Sequence, residues 1–256
     1  MRVNYLIKTE TKGFICTVTI NNPPMNILTK EFREEFIPFM EQLKTSDVRV
    51  IILTGDGDRA FCAGADLKEE GELTNETVRK FLQEDCRVYD IINEMPQAVI
   101  AAVNGYAFGG GFELVLASDI RIMSERAKLC AAGVKVGLVV STNRLVRLLG
   151  EARAKDIILT GRTVTAEEAY RMGLANTVVP HDQLLKQTIE WAELIASRAP
   201  IAIRKAKDAI QKTLDMTWGE AMSMELDRFV ECQSTWDHKH AIESFFQKQQ
   251  PQFKGK

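Results

Sequence analysis

Residues 98–117 read Ala-Val-Ile-Ala-Ala-Val-Asn-Gly-Tyr-Ala-Phe-Gly-Gly-Gly-Phe-Glu-Leu-Val-Leu-Ala. The apolar run Ala98–Val103 has no polar interruption and stops at Asn104-Gly105, as a strand buried on both faces does before a turn. Gly109, Gly110 and Gly111 follow, and behind them Phe112, Leu114, Val115, Leu116 and Ala117 form a second apolar stretch. Read as a loop feeding a helix, the glycines leave backbone N–H groups free at the positive end of that helix. Glu113 falls in its first turn, three residues beyond Gly110, so its carboxylate and the Gly110 N–H can face one cleft. A first-turn acid is also what the helix dipole favours, with no chemistry implied.

The same pattern occurs upstream. Val50-Ile51-Ile52-Leu53 is a continuous apolar run closed by Gly55, Asp56, Gly57 and Asp58. Behind it comes a second small-residue loop, Ala60-Phe61-Cys62-Ala63-Gly64-Ala65-Asp66-Leu67-Lys68, whose Ala63, Gly64 and Ala65 would let a ligand approach the backbone closely. Ile120-Arg121-Ile122 reads as a third strand, and Cys16, Val18 and Ile20 alternate along an earlier one that ends at Asn21-Asn22-Pro23-Pro24. Between these strands, Phe32, Phe36, Phe39, Met40 and Leu43 recur at helical spacing behind a candidate N-cap, Thr29. Strands alternating with helices predict an α/β layered fold. From about Glu151 the pattern turns helical: a capping box at Thr165–Glu168, a stripe from Leu184 to Ala196, a break at Ala199-Pro200, then helix again to Leu214 and through 218–249. No Gly/Ser linker divides the chain, so the expected organisation is an α/β core over residues 1–195 carrying a helical C-terminal region over 196–256.

Composition narrows the function classes. The 256 residues are 45 % hydrophobic and 27 % charged, which is ordinary globular usage. Thirty-three basic against 35 acidic side chains leave a net charge of −2, without the basic excess of a nucleic-acid binder. Cys16, Cys62, Cys86, Cys130 and Cys232 are scattered and odd in number, reading as reduced thiols and mostly core filler. No run of 18 apolar residues occurs, and Met1-Arg2-Val3-Asn4-Tyr5 opens no signal peptide, so the expected compartment is the cytoplasm, with no membrane partner. The dinucleotide fingerprint, the P-loop, the G-x-S-x-G elbow and the H-E-x-x-H helix are all absent. Of the three histidines, His238 and His240 form an H-x-H pair that reads as a solvated helix face rather than a ligand pair. No metal and no nicotinamide cofactor is expected.

Taken together, AFCAGADLK at 60–68 and AAVNGYAFGGGFEL at 101–114 strongly resemble the enoyl-CoA hydratase/isomerase (crotonase) superfamily. The resemblance extends over Asn22-Pro23 with Asn26, Val50–Thr54, Leu159–Arg162, Ala169–Leu174, and the tail Phe245–Lys248 with Pro251–Gly255. It implies a crotonase-like spiral of β-β-α units with a helical C-terminal trimerisation region, giving a homotrimer or homohexamer. It also implies an acyl-CoA thioester as partner, coenzyme A being part of the substrate. The N–H groups matching the family's oxyanion hole are those of Ala65 and Gly110. Positions matching its CoA contacts are Ala63, Asp66, Leu67, Lys68, Phe229 and Lys248, the last two partly across a subunit boundary. Glu113 matches the first of the two glutamates of the hydratases.

The second glutamate does not match. Twenty residues on, its position is Gly133, in Ala131-Ala132-Gly133-Val134-Lys135-Val136-Gly137-Leu138-Val139-Val140-Ser141-Thr142-Asn143-Arg144-Leu145, and the turn there is about three residues shorter than the family's. The isomerases usually keep their single glutamate at that second position, and the aspartate of naphthoate synthases is missing near Val140. Hydration with one of two acid–base groups is expected to be slower by roughly 10²–10⁴-fold, unless Asp66, Glu69 or Asp85 supplies the role from the opposite wall. The alternatives are decarboxylation of a malonyl-type acyl-CoA, and a non-catalytic acyl-CoA or RNA binder on the same scaffold. Arg204, Lys205 and Lys207 make a small basic cluster, yet the overall charge of −2 argues against the RNA reading.

Overall fold

The structure is a computed structural model that describes residues 5–256. The reading of Met1–Asn4 lies outside the described residues. The chain runs β1 (Ile7–Lys12), β2 (Ile15–Ile20), α1 (Lys30–Lys44), β3 (Val50–Gly55), β4 (Ala60–Cys62), α2 (Leu67–Gly71), α3 (Val78–Glu94), β5 (Ala98–Val103), β6 (Tyr106–Phe108) and α4 (Gly110–Ala117). It continues with β7 (Ile120–Ser124), β8 (Lys128–Cys130), a 3₁₀ turn (Ala132–Val136), α5 (Thr142–Leu149), α6 (Glu151–Thr160), β9 (Val164–Thr165), α7 (Ala166–Arg171) and β10 (Thr177–Val179). Helices α8 (Leu184–Ala196), α9 (Pro200–Thr213), α10 (Trp218–Gln233) and α11 (Trp236–Phe246) complete it.

Among the described residues the strands form two sheets, one in the order β1-β2-β3-β5-β7-β10 and one in the order β4-β6-β8-β9. The spiral is visible in that order. Each turn places one strand in the large sheet and the next in the small sheet: β3 then β4, β5 then β6, β7 then β8. A helix then carries the chain back, and the repeated pairings are parallel. All six residues of β3 and of β5 are buried, as continuous apolar runs covered on both faces require. Val50, Ile52, Ile100 and Ala102 pack with Leu184 and Ala192 of α8, whereas Ile51, Leu53, Val99 and Ala101 join the core of Phe32, Phe36, Val88 and Phe112. Cys16, Cys62 and Cys130 are core filler, but Cys86 is exposed.

Polar side chains tie the first turn of the spiral. Asn104 Nδ2 donates to the carbonyls of Gly55 and Gly57, and its Oδ1 accepts from the Gly55 N–H. Asn26, at φ 54°, donates to the carbonyls of Asp56 and Ala60. The β3–β4 turn is thereby fixed from both sides, which aims the loop after β4.

The capping box at Thr165 and Glu168 forms, and Thr29 accepts from the Phe32 N–H. The C-terminal helices are anchored by a half-buried ion pair, Lys207 Nζ to Asp119 Oδ2 at 2.7 Å. One correction concerns the H-x-H pair. His240 is half-buried, stacks on Trp236 at 4.5 Å and accepts from the Gln252 N–H at 3.1 Å, so it docks the tail rather than facing solvent. No helix among the described residues is long and apolar enough to cross a membrane.

Candidate active site

The two small-residue loops meet backbone to backbone. A Cβ on Gly111 would lie 1.8 Å from the Cys62 carbonyl oxygen, and one on Gly64 would lie 2.8 Å from the Phe108 oxygen and 3.1 Å from the Gly110 nitrogen. Gly64 at φ +106° and Gly109 at φ +51° adopt conformations that side chains rarely take. The first loop is pinned on its other side, where Leu28 N–H donates to the Gly64 carbonyl at 2.9 Å and Ala63 N–H to Met25 at 3.0 Å. The result brings Ala65 and Gly110 together: a Cβ on Gly110 would stand 3.5 Å from the Ala65 nitrogen. Among the described residues neither the Ala65 nor the Gly110 N–H donates to another backbone group, while its neighbour Gly109 N–H is satisfied by Cys130.

Glu113, in the first turn of α4, is 7 % exposed. Its Oε2 accepts from Arg144 Nη1 at 3.0 Å, and Arg144 in turn reaches Asp90 at 2.6 Å. The other oxygen, Oε1, is buried with no hydrogen-bond partner. A buried carboxylate oxygen left unpaired is costly unless water or a ligand meets it, so the arrangement is a fixed carboxylate with one oxygen unsatisfied by the protein. Sequence reasoning missed Arg144, whose only signal was its place in the altered 131–145 segment.

The position matching the second glutamate is closed. Gly133 is buried in the 3₁₀ turn, and a Cβ there would meet Val140 Cγ2 at 2.5 Å and the Leu138 oxygen at 2.9 Å. Of the three candidate replacements, Asp66 caps α2 by accepting from the Lys68 N–H at 2.9 Å, and Glu69 pairs with Arg33. Asp85 remains: it is buried, accepts from the Tyr89 hydroxyl at 2.7 Å, and lies 3.8 Å from Arg33. Burial holds its carboxyl above the ordinary aspartate range, and burial with the Asp85 charge raises the Tyr89 phenol well above its own. Burial likewise pushes the Cys62 thiol up to about 12, so it is no nucleophile.

Ala63 is half-buried, while Leu67 and Lys68 are exposed at the start of α2. Phe229 is exposed on α10, which packs mainly against α9 and α11, and Lys248 follows α11 at φ 57°. No three His, Cys, Asp or Glu side chains gather as a metal ligand set among the described residues.

Comparison with known proteins agrees with this architecture. The enoyl-CoA hydratase/isomerase family model matches residues 10–256. The chain is 37 % identical to a short-chain-enoyl-CoA hydratase of Clostridium acetobutylicum, over 97 % of each chain. It is 34 % identical to a crotonyl-CoA hydratase of Syntrophomonas wolfei, over 98 % of this chain and 97 % of that protein. A crystal structure of enoyl-CoA hydratase from Bacillus anthracis superposes with a TM-score of 0.95 at 37 % identity, over 98 % of this chain and 100 % of that one. Fold, loops and full-length similarity agree: the chain belongs to the enoyl-CoA hydratase/isomerase family.

Proposed function

We propose that this protein adds water across the 2,3-double bond of an enoyl-CoA thioester, with the thioester oxygen seated between the N–H groups of Ala65 and Gly110. The observation that carries this reading is the pairing of two unengaged amides with a buried, unpartnered Glu113 oxygen on adjoining loops. Water held on Glu113 Oε1 loses its proton to that carboxylate as its oxygen bonds to the β-carbon. The π electrons move onto the thioester oxygen, where fixed donors stabilise the enolate, each worth roughly 3 kcal/mol. Backbone amides at a helix start cost no reorganisation, and the surrounding glycines leave room for the acyl group to reach them. Arg144 holds the carboxylate in place by its 3.0 Å contact to Oε2.

Ala63, Asp66, Leu67 and Lys68 line the coenzyme side of the first loop, Phe229 and Lys248 contribute to it partly across a subunit boundary, and Lys248 meets a phosphate as a point charge. Leu226, Phe229, Val230, Phe245 and Phe246 leave α10 and α11 with exposed apolar side chains, which supports a homotrimer or homohexamer. Five free cysteines suit the reducing cytoplasm. The chemistry is proton transfer and charge stabilisation, and it calls for neither metal nor nicotinamide.

The test is crotonyl-CoA hydration by the purified chain, with acetyl-CoA binding followed by calorimetry, each with and without chelator. Turnover and binding indifferent to chelator are expected; no binding up to millimolar acetyl-CoA contradicts the reading. Gly133→Glu is expected to gain no activity, because the new side chain starts inside Val140 and the Leu138 carbonyl. It should instead lose about 1–3 kcal/mol of stability through overpacking, measured by denaturant unfolding.

A further inference from the structure

Hydration leaves one proton to be placed, the one that the α-carbon gains, and position 133 offers no group to give it. We propose that Tyr89 delivers this proton, replenished by Asp85 behind it, from the wall opposite Gly133. The proposal rests on the assignment of Ala65 and Gly110 as the thioester site.

The geometry is specific. The point at which a Cβ of Gly110 would sit is 2.5 Å from the Tyr89 hydroxyl oxygen and 3.5 Å from the Ala65 nitrogen. The hydroxyl therefore packs against the Gly110 backbone, on the side from which the Ala65 nitrogen also approaches, at the edge of the proposed thioester site. The Tyr89 ring lies 5.8 Å from the guanidinium of Arg144, the residue that holds Glu113, so phenol and carboxylate flank the same arginine. Asp85 takes the hydroxyl on Oδ2 at 2.7 Å, while its buried Oδ1 has no hydrogen-bond partner. A structural tyrosine needs only an acceptor. A half-satisfied buried carboxyl beside a reactive centre is destabilising, and such groups cluster where proton transfer occurs. Burial also raises the Asp85 carboxyl's affinity for a proton, which suits a group that must give one up in turnover.

The step balances. Water's O–H bond breaks, its oxygen bonds the β-carbon, and its proton goes to Glu113. The π pair passes to the thioester oxygen and returns as the α-carbon takes the hydroxyl proton of Tyr89. For this step the 2.7 Å contact runs the other way, with Asp85 protonated on Oδ2 and donating to the Tyr89 oxygen, which takes that proton. The product then leaves Glu113 protonated and Asp85 ionised, and water in the emptied pocket carries the proton from the first to the second.

Two variants and two readouts test this: Tyr89→Phe and Asp85→Asn, each assayed for crotonyl-CoA hydration and for deuterium exchange at the α-carbon of butyryl-CoA in heavy water. Both variants should lose on the order of 10²-fold in kcat and in exchange, as removal of a proton-transfer group does, with KM and acetyl-CoA affinity changed less than about threefold. A residue that only supports the fold would weaken binding along with turnover. Glu113→Gln should lose hydration yet keep exchange, since its proton belongs to the water. If Tyr89→Phe fails to fold, Asp85→Asn, which keeps an acceptor for the hydroxyl, decides alone. Parental exchange and hydration in the folded variants overturn the proposal while leaving the hydratase reading intact. A parent chain that binds no CoA ester overturns the hydratase reading and this proposal with it.

Discussion

Glu113→Gln is expected to lower kcat for crotonyl-CoA hydration by about 10²–10⁴-fold, the range typical of a lost general base. Glutamine keeps the shape and one acceptor but cannot take the proton of the attacking water. The side chain is buried beneath Arg144, so no solvent base replaces it readily. Acetyl-CoA contacts the amides and not the missing charge, so its affinity should stay within a few-fold of the parent. A fall confined to kcat locates the loss in the transition state. Equal turnover by variant and parent would leave Glu113 as a first-turn acid held by the helix dipole and nothing more.

Gly110→Ala should lose comparable activity for a different reason. Its methyl would enter the space facing the Ala65 nitrogen, 3.5 Å away, and press on Tyr89 Oη at 2.5 Å and Leu28 Cδ1 at 3.0 Å. The thioester oxygen can no longer reach both donors, and removal of one such donor costs about 10²–10³ in kcat. Acetyl-CoA binding should weaken too. The fold should survive, because alanine is favoured over glycine in a helix by up to about 1 kcal/mol and the hydroxyl can give way. Gly111→Ala makes the contrast: its methyl meets the Cys62 carbonyl at 1.8 Å, a backbone atom that cannot yield, so that variant should fail to fold. Circular dichroism and kcat/KM on the pair separate a blocked site from a broken one.

Four strands of the large sheet were legible, β3 and β5 as continuous apolar runs with turn residues behind them, β2 by its alternation and β7 by Ile120-Arg121-Ile122. Ala98–Val103 matches β5 residue for residue, whereas the largely exposed β1 and the three-residue β10 gave no such signal. The small sheet was not, since β4, β6 and β8 span three residues each and β9 two, too short to show a period. Both glycine loops could be located along the chain, but their contact comes from the spiral stacking β4 beside β6. Glu113 was readable as a candidate; its partner Arg144, 31 residues away, was not, because the pairing depends on how α5 packs on α4. Tyr89 gave no signal at all. It sits at helical spacing among apolar residues of α3, and only the position of Gly110 shows what its hydroxyl borders. Asp85 could be named as a replacement acid, while Asp66 and Glu69 were equally plausible until the structure showed their side chains engaged in a helix cap and an ion pair.

The most direct test of the thioester site is the isotope-edited infrared spectrum of acetyl-CoA carrying carbon-13 at its thioester carbonyl, bound to the parent chain. Two amide donors on one oxygen polarise the carbonyl, so its stretch should move to lower wavenumber on binding, and Gly110→Ala should abolish most of that displacement. A bound ligand whose carbonyl stretch stays where it lies in free solution contradicts the seating of the thioester between Ala65 and Gly110.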